Sequence, residues 1–346
     1  MGVHRDGIGG ATVTGGNPVV DLKIPEHIVG QEQALQFLAA AVRKQRVTTA
    51  YCFVGSDGIG RALSARWFAQ AVLCEQYGDP NGLVPCGQCL NCRLSSQGSH
   101  PDLLWIEPTY THQGKRISRS EAAEQNLQRR AKPQVRLDQI QEVVTFVGRS
   151  PLRASRSVVV IEGAETLAES AGNALLKTLE EPGSALLILI VTSLSQLLPT
   201  LVSRCQGIPF RRLATAQVRQ VIAPHQDPDL ALEQIPSAVW DLAQGSPGLA
   251  LEALQQWQQI PPDVLQALEQ WPSGIADAFK VGRQVAKALD VPAQLWLVDY
   301  LQLWHWHHPN PQQLARIRQL DRIRQQLMVY AQPQLVWEVN LAQVVA

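Results

Sequence analysis

Cys86, Cys89 and Cys92 form a C-x2-C-x2-C run with Cys74 a short way upstream, and nothing else in the chain restricts its local fold so tightly. A C-x2-C turn sets two sulfurs along one edge of a tetrahedron, the coordination that zinc takes with thiolates. Gly87 eases the backbone through the turn. Cys74, at the end of an apolar helical stretch, brings the set to four. An iron–sulfur cluster is the rival, because the bacterial ferredoxin run opens the same way. That run proceeds to a fourth cysteine followed by proline, whereas this one proceeds to Arg93-Leu94-Ser95, which favours zinc. Four thiolates leave no open position, so the expected Zn2+ is structural rather than catalytic. Cys52 and Cys205 stand apart in the sequence, and no disulfide framework is expected.

At 346 residues and 45% hydrophobic content the chain can bury more than one core, and two or three domains are expected. Its 30 basic and 30 acidic side chains cancel. A protein that grips DNA unaided carries a basic excess, so a free-standing zinc-dependent DNA-binding protein is disfavoured. Ala185–Val191 is strand-sized, and no apolar run is long and pure enough to cross a bilayer. Residues 1–25 are expected to be a disordered leader. Within it Met1–Asn17 is rich in Gly and Thr and lacks the apolar core of a signal peptide. A cytoplasmic location without membrane contact is expected.

Strand and helix patterns alternate up to about Phe210. Tyr51–Val54 reads as a short buried strand, and a helix is expected from about Arg61 to Cys74, with Leu63, Trp67, Ala71 and Cys74 near one face. Asp102–Glu107, Val158–Ile161 and Leu186–Val191 read as further strands, and Leu167–Glu181 as a helix stopped by Pro182-Gly183. Such alternation implies a parallel sheet covered on both faces. The polar stretch of about 111–133 reads as an insertion or mobile loop whose Lys115, Arg116, Arg119, Arg129, Arg130 and Lys132 are expected to be solvated. Beyond Arg212 the chain is rich in Ala, Leu and Gln, with helices broken by prolines. Tryptophans 240, 257, 271, 296, 304, 306 and 337 there read as core or interface residues. His305, His307 and His308 read as solvated side chains at a helix end.

Between the first strand and its helix lies Gly55-x4-Gly60, the setting in which backbone N–H groups cradle phosphates, with Gly55, Gly58 and Gly60 as the loop glycines. A working loop continues Lys-Ser/Thr: the ammonium reaches the terminal phosphates and the hydroxyl ligates magnesium. This chain has Arg61 and Ala62 instead. Arginine keeps the charge but aims a planar fork differently, and alanine cannot ligate a metal. Downstream, Glu162 supplies a carboxylate where magnesium would be held, but Gly163 stands where a base would activate water. Hydrolysis in cis is therefore not expected, and ATP binding is in doubt.

Longer motifs carry a resemblance. Asn173-Ala174-Leu175-Leu176-Lys177-Thr178-Leu179-Glu180-Glu181-Pro182 resembles the signature helix of AAA+ clamp-loader subunits. Val191-Thr192-Ser193 with Leu198–Cys205 is similar to that family's sensor and Ser-Arg-Cys segment, and Val29-Gly30-Gln31 to its N-terminal box. The four cysteines narrow the likeness to bacterial DNA polymerase III clamp-loader subunits. The resemblance implies an AAA+ P-loop-type α/β domain over residues 26–212 with a zinc module at 74–92, a helical lid over 213–272, and an all-α collar over 273–346 used for oligomerisation. It implies that Arg204 acts in trans as an arginine finger in a neighbour's ATP site, and that Thr192 holds the sensor position. Active members carry an arginine where this chain has Gly248. The expected function is a non-hydrolysing, stator-like member of the loader, not an enzyme by itself though part of the polymerase holoenzyme. Its expected partners are the delta and gamma/tau subunits and, through the complex, the sliding clamp and primed DNA. An ATP-hydrolysing gamma/tau-like motor is the alternative, against which Arg61, Ala62, Gly163 and Gly248 all argue.

Overall fold

The computed structural model describes residues 21–22, 25, 27–79, 83–112, 115–125, 132–225, 232–329 and 331–345. The chain divides into two compact units. One comprises residues 1–26, 32–54 and 62–209, the other residues 27–31, 55–61 and 210–346.

In the first unit the described strands are β1 (Asp21–Leu22), β2 (Ala50–Val54), β3 (Leu83–Val84), β4 (Leu103–Ile106), β5 (Thr109–His112), β6 (Lys115–Ser118), β7 (Val158–Ile161), β8 (Leu186–Val191) and β9 (Gln206–Pro209). Five of them make the expected parallel sheet, in the order β4-β7-β8-β2-β9. β7 and β8 read as continuous apolar runs because they are central and covered on both sides, and all ten of their residues are buried. Ile140, Val143, Leu175 and Leu179, from the helices Leu137–Val147 and Glu169–Glu180, pack with Val159, Ile161, Leu187 and Leu189 in one core. Ahead of β4, the buried Asp102 carboxylate accepts the backbone N–H groups of Leu152, Arg153 and Ala154 at 2.6, 2.8 and 2.8 Å. That clamp satisfies the chain as it enters β7.

Three local expectations change. The polar stretch of about 111–133 is not a plain loop in its described part: β5, which starts just ahead of it, and β6 pair as an antiparallel hairpin, followed by a short helix, Arg119–Glu124. Residues 126–131, with Arg129 and Arg130, lie outside the described residues. Within the expected leader, Asp21–Leu22 pair in parallel with Leu83–Val84, and residues 1–20 lie outside the described residues. On the Arg61–Leu73 helix, Trp67 and Ala71 are buried with Cys74 just beyond, but Leu63 is exposed. The helix is apolar nearly all round, so its periodicity does not single out a face.

The second unit is built from helices, from Thr215–Ile222 to Pro333–Val345, around one hydrophobic cluster that runs from Leu213 to Leu341. Trp240, Trp271 and Trp337 are buried in it, and the Trp337 indole N–H donates to Gln294 Oε1 at 2.9 Å, while Trp306 is exposed. His305 departs from expectation. It is buried, its Nε2 lies 3.2 Å from the Leu268 carbonyl, and burial pushes its pKa down to about 4. The helices Ile275–Ala288 and Pro333–Val345 approach so closely at Gly282 that a Cβ there would lie 2.8 Å from the Glu338 backbone nitrogen. Gly282→Leu is therefore expected to lower the thermal midpoint of this unit, at a cost of about 1–3 kcal/mol or more, checked by calorimetry against Gly274→Ala, where a Cβ meets open space.

Candidate functional site

The four cysteines converge. Cys74 follows the Arg61–Leu73 helix, Cys86 and Cys89 lie in the turn beyond β3, and Cys92 is in the first turn of the helix Leu90–Ser96. Their sulfurs all lie within 4.8 Å of one another. A tetrahedral zinc with bonds of ~2.3 Å has sulfur–sulfur edges of ~3.8 Å, and the Cys86 and Cys92 sulfurs are 3.9 Å apart. Backbone N–H groups of Cys89 and Cys92 donate to the sulfurs of Cys86 and Cys89, each at 3.3 Å, which suits thiolates. A hydrogen bond from Cys92 holds the Cys74 thiol down at about 5, while Cys92 is driven up by the same contact and by burial. The crowding of four ionisable sulfurs is the arrangement that a divalent cation relieves, and the set fits a metal ion.

The phosphate loop is turned inward on itself. Gly58 and Gly60 have φ of 69° and 100°, conformations open to glycine. Arg61, where the lysine of a working loop would reach outward, is 7% exposed and bends back to Asp57 Oδ1 at 2.5 Å. Ser246 and Gly248 close the other side, at the start of the helix Pro247–Gln259. The Ser246 hydroxyl donates to the Asp57 carbonyl at 2.7 Å and the Gly248 N–H to the Gly58 carbonyl at 3.0 Å. A Cβ on Gly248 would sit 2.7 Å from Gly58 Cα, so no side chain fits there. Gln31, in the segment that resembles the N-terminal box, donates to the Ile59 and Arg211 carbonyls and accepts the Arg211 N–H.

At the end of β7, Glu162 is half-buried and accepts the Trp105 indole N–H at 2.8 Å. Burial pushes its carboxyl above the usual range. Gly163 is left-handed at φ 58°, and a Cβ there would strike Pro108 at 2.6 Å. The base position thus excludes a glutamate by space as well as by sequence. Thr192, at the end of β8, is held by the Glu165 carboxylate through its hydroxyl at 2.9 Å and its backbone N–H at 3.3 Å. Arg204 follows the short helix Pro199–Val202, lies 37% exposed, and reaches the Glu180 carboxylate at 2.6 Å and the Thr200 carbonyl at 3.0 Å. Sequence reasoning missed Trp105 and Glu165. Asp57 was within reach, four residues before Arg61 across the turn.

A parallel five-stranded sheet whose β2 strand leads through a G-x4-G loop into a helix defines an α/β protein with a P-loop-type sheet, here with Arg61 and Gly58 committed to internal contacts. Residues 30–214 match the family described as "DNA polymerase III, delta subunit", and the chain belongs to that family. Residues 216–344 match "Cyanobacterial DNA polymerase III delta prime, C-terminal domain". Two curated relatives are named DNA polymerase III subunit delta'. The one from Pseudomonas aeruginosa is 38% identical over 190 residues, 54% of this chain and 51% of the relative. The one from Bacillus subtilis is 28% identical over 201 residues, 56% and 53% of the two chains. A DNA polymerase III subunit tau/gamma from Haemophilus influenzae is 30% identical over 214 residues, 59% of this chain and 27% of the relative. The match thus spans about half the length of the delta-prime relatives. Among the described residues no helix is long and apolar enough to cross a membrane.

Proposed function

We propose that this chain is a non-hydrolysing, stator-like subunit of the delta-prime type in the DNA polymerase III clamp loader. In that role it helps to place the sliding clamp on primed DNA, in the cytoplasm, beside delta and gamma/tau subunits. The observation that carries the reading is the phosphate loop, with Arg61 paired internally and Gly248 seated against Gly58. The lysine and hydroxyl that phosphoryl transfer needs are missing, and so is the base.

Three finer assignments belong to this proposal. The Cys74, Cys86, Cys89 and Cys92 set holds one structural Zn2+. Residues 213–272 act as a lid and 273–346 as a collar for assembly. Arg204 serves as a finger in a neighbour's site, for which its exposure is the support. Gly55, Gly58, Gly60, Arg61, Glu162 and Thr192 are then relics of a phosphate site, kept for internal packing.

The isolated chain is expected to show no ATPase above background and no saturable retention of a fluorescent ATP analogue. Steady turnover that a Gly60→Val change abolishes would establish the motor reading instead. Analogue binding without turnover would show that the loop still accepts a nucleotide, and would overturn the closed-loop account.

A further inference from the structure

β4 ends the five-stranded sheet, and among the described residues no strand pairs with its outer edge. The carbonyls of Asp102 and Ile106 accept N–H groups of Val158 and Glu162 across the ladder to β7, so the even-numbered residues serve that side. Parallel pairing then turns the main-chain groups of Leu103 and Trp105 outward. The Leu103 N–H is taken by the His100 carbonyl at 3.1 Å, which leaves the Leu103 carbonyl and the Trp105 N–H and carbonyl facing out. They face a cleft of about 650 Å³ lined by every residue from Leu103 to Glu107, with Arg66, Arg116, Gln139 and Glu142 on its walls. Proteins ordinarily blunt a bare edge with a charge, a proline or a bulge. Leu103-Leu104-Trp105-Ile106 contains no charge and no proline.

Two cations give the cleft its chemical preference. The Arg66 guanidinium lies 4.7 Å over the centre of the Trp105 ring, at the middle of the open edge. Arg116 contacts Asp138 at 3.0 Å in a pair exposed on both sides, the kind that exchanges partners at little cost. Of the acids beside it, Glu162 is engaged by the Trp105 indole N–H and Glu107 by the Ser120 hydroxyl and N–H, while Glu142 stands on the Leu137–Val147 helix. We propose that the cleft takes an extended peptide segment of a partner protein, added along β4 as a sixth strand with a carboxylate side chain opposite Trp105. A strand supplies what this edge asks for, a main-chain acceptor for the Trp105 N–H and a donor for its carbonyl. A nucleic acid has no main chain that repeats this donor and acceptor along a strand. The open edge accommodates about five residues, roughly 16 Å of strand. This surface is independent of the phosphate loop and of Arg204.

The test uses the full chain and two synthetic probes, acetyl-Thr-Val-Asp-Val-Thr-amide and its counterpart with lysine in place of aspartate, titrated to millimolar concentration. Hydrogen exchange of the Trp105 amide reports binding. The aspartate peptide is expected to protect that amide, and the lysine peptide to bind about tenfold more weakly, as expected of a charge reversal at a partly desolvated pair. Arg66→Ser should abolish the difference between the probes without moving the thermal midpoint. The proposal is overturned if neither peptide protects Trp105, or if both protect it equally. It is likewise overturned if the amide is already protected in the free chain, which would mean that the chain's own residues cover the edge, or if sizing shows that two copies pair there.

Discussion

In a loader reconstituted with its neighbouring subunits, Arg204→Ala is expected to leave assembly intact and to depress DNA-stimulated ATP hydrolysis, and clamp loading with it, by about 10³-fold or more, the factor that arginine fingers supply elsewhere. A finger's guanidinium stabilises charge that develops on the γ-phosphate, and a subunit without its own hydrolytic groups can supply one to the site next door. In this chain Arg204 is held by Glu180, and both are substantially exposed. Exposed pairs contribute about 0–1 kcal/mol, so the contact can be given up when a triphosphate is presented. Glu180→Gln serves as the control. If the pair with Glu180 were the whole purpose of Arg204, removing either partner would have the same small effect. On the proposed role, Glu180→Gln keeps hydrolysis near normal while Arg204→Ala does not. Arg204→Lys should rescue poorly, since a point charge lacks the planar fork. Wild-type clamp loading by an assembled Arg204→Ala complex would refute the role.

The second large effect concerns the cysteines. One zinc per chain is expected by elemental analysis, and Cys89→Ser should lose it. Structural zinc in small modules is worth about 10–16 kcal/mol of apparent binding free energy, far more than the Cys86–Ser96 segment could recover from its own packing. Of that segment only Asn91 and Cys92 are buried. Limited proteolysis should therefore open residues 86–96 in the variant, while the sheet, whose β7 and β8 are fully buried, keeps its far-ultraviolet dichroism. Iron with inorganic sulfide in place of zinc would sink the assignment, and so would a Cys89→Ser chain that keeps full zinc occupancy.

The strands most readable in the sequence were those with the plainest physics. Val158–Ile161 carries four apolar residues, all of them β-branched, and forms β7 with those same limits. Leu186–Val191 likewise is β8. The cysteine cluster was legible because metal ligands obey short-range spacing. The hairpin β5–β6 was not, because Thr109–His112 and Lys115–Ser118 are mostly polar, and a two-stranded ribbon leaves little alternation to read. His305 was misjudged because its neighbours along the helix, His307 and His308, are exposed, while burial beside Leu268 and Trp271 is set by tertiary packing. At the phosphate loop the missing groups were evident from sequence. That Arg61 is occupied by Asp57, and Glu162 by Trp105, was not, since both depend on where side chains turn.

The contact between Gly58 and Gly248 bears on how such a chain can change over generations. An arginine at position 248 would need room where the next backbone lies 2.7 Å away, and a glutamate at 163 would meet Pro108 at 2.6 Å. Neither substitution gains anything unless Arg61 and Ala62 change as well, and each alone disturbs packing that now exists. The path back to a motor therefore runs through several damaged intermediates with no activity to reward them. On the proposed reading, loss of hydrolysis would work as a ratchet, because the Gly58–Gly248 contact leaves no room for a side chain at position 248.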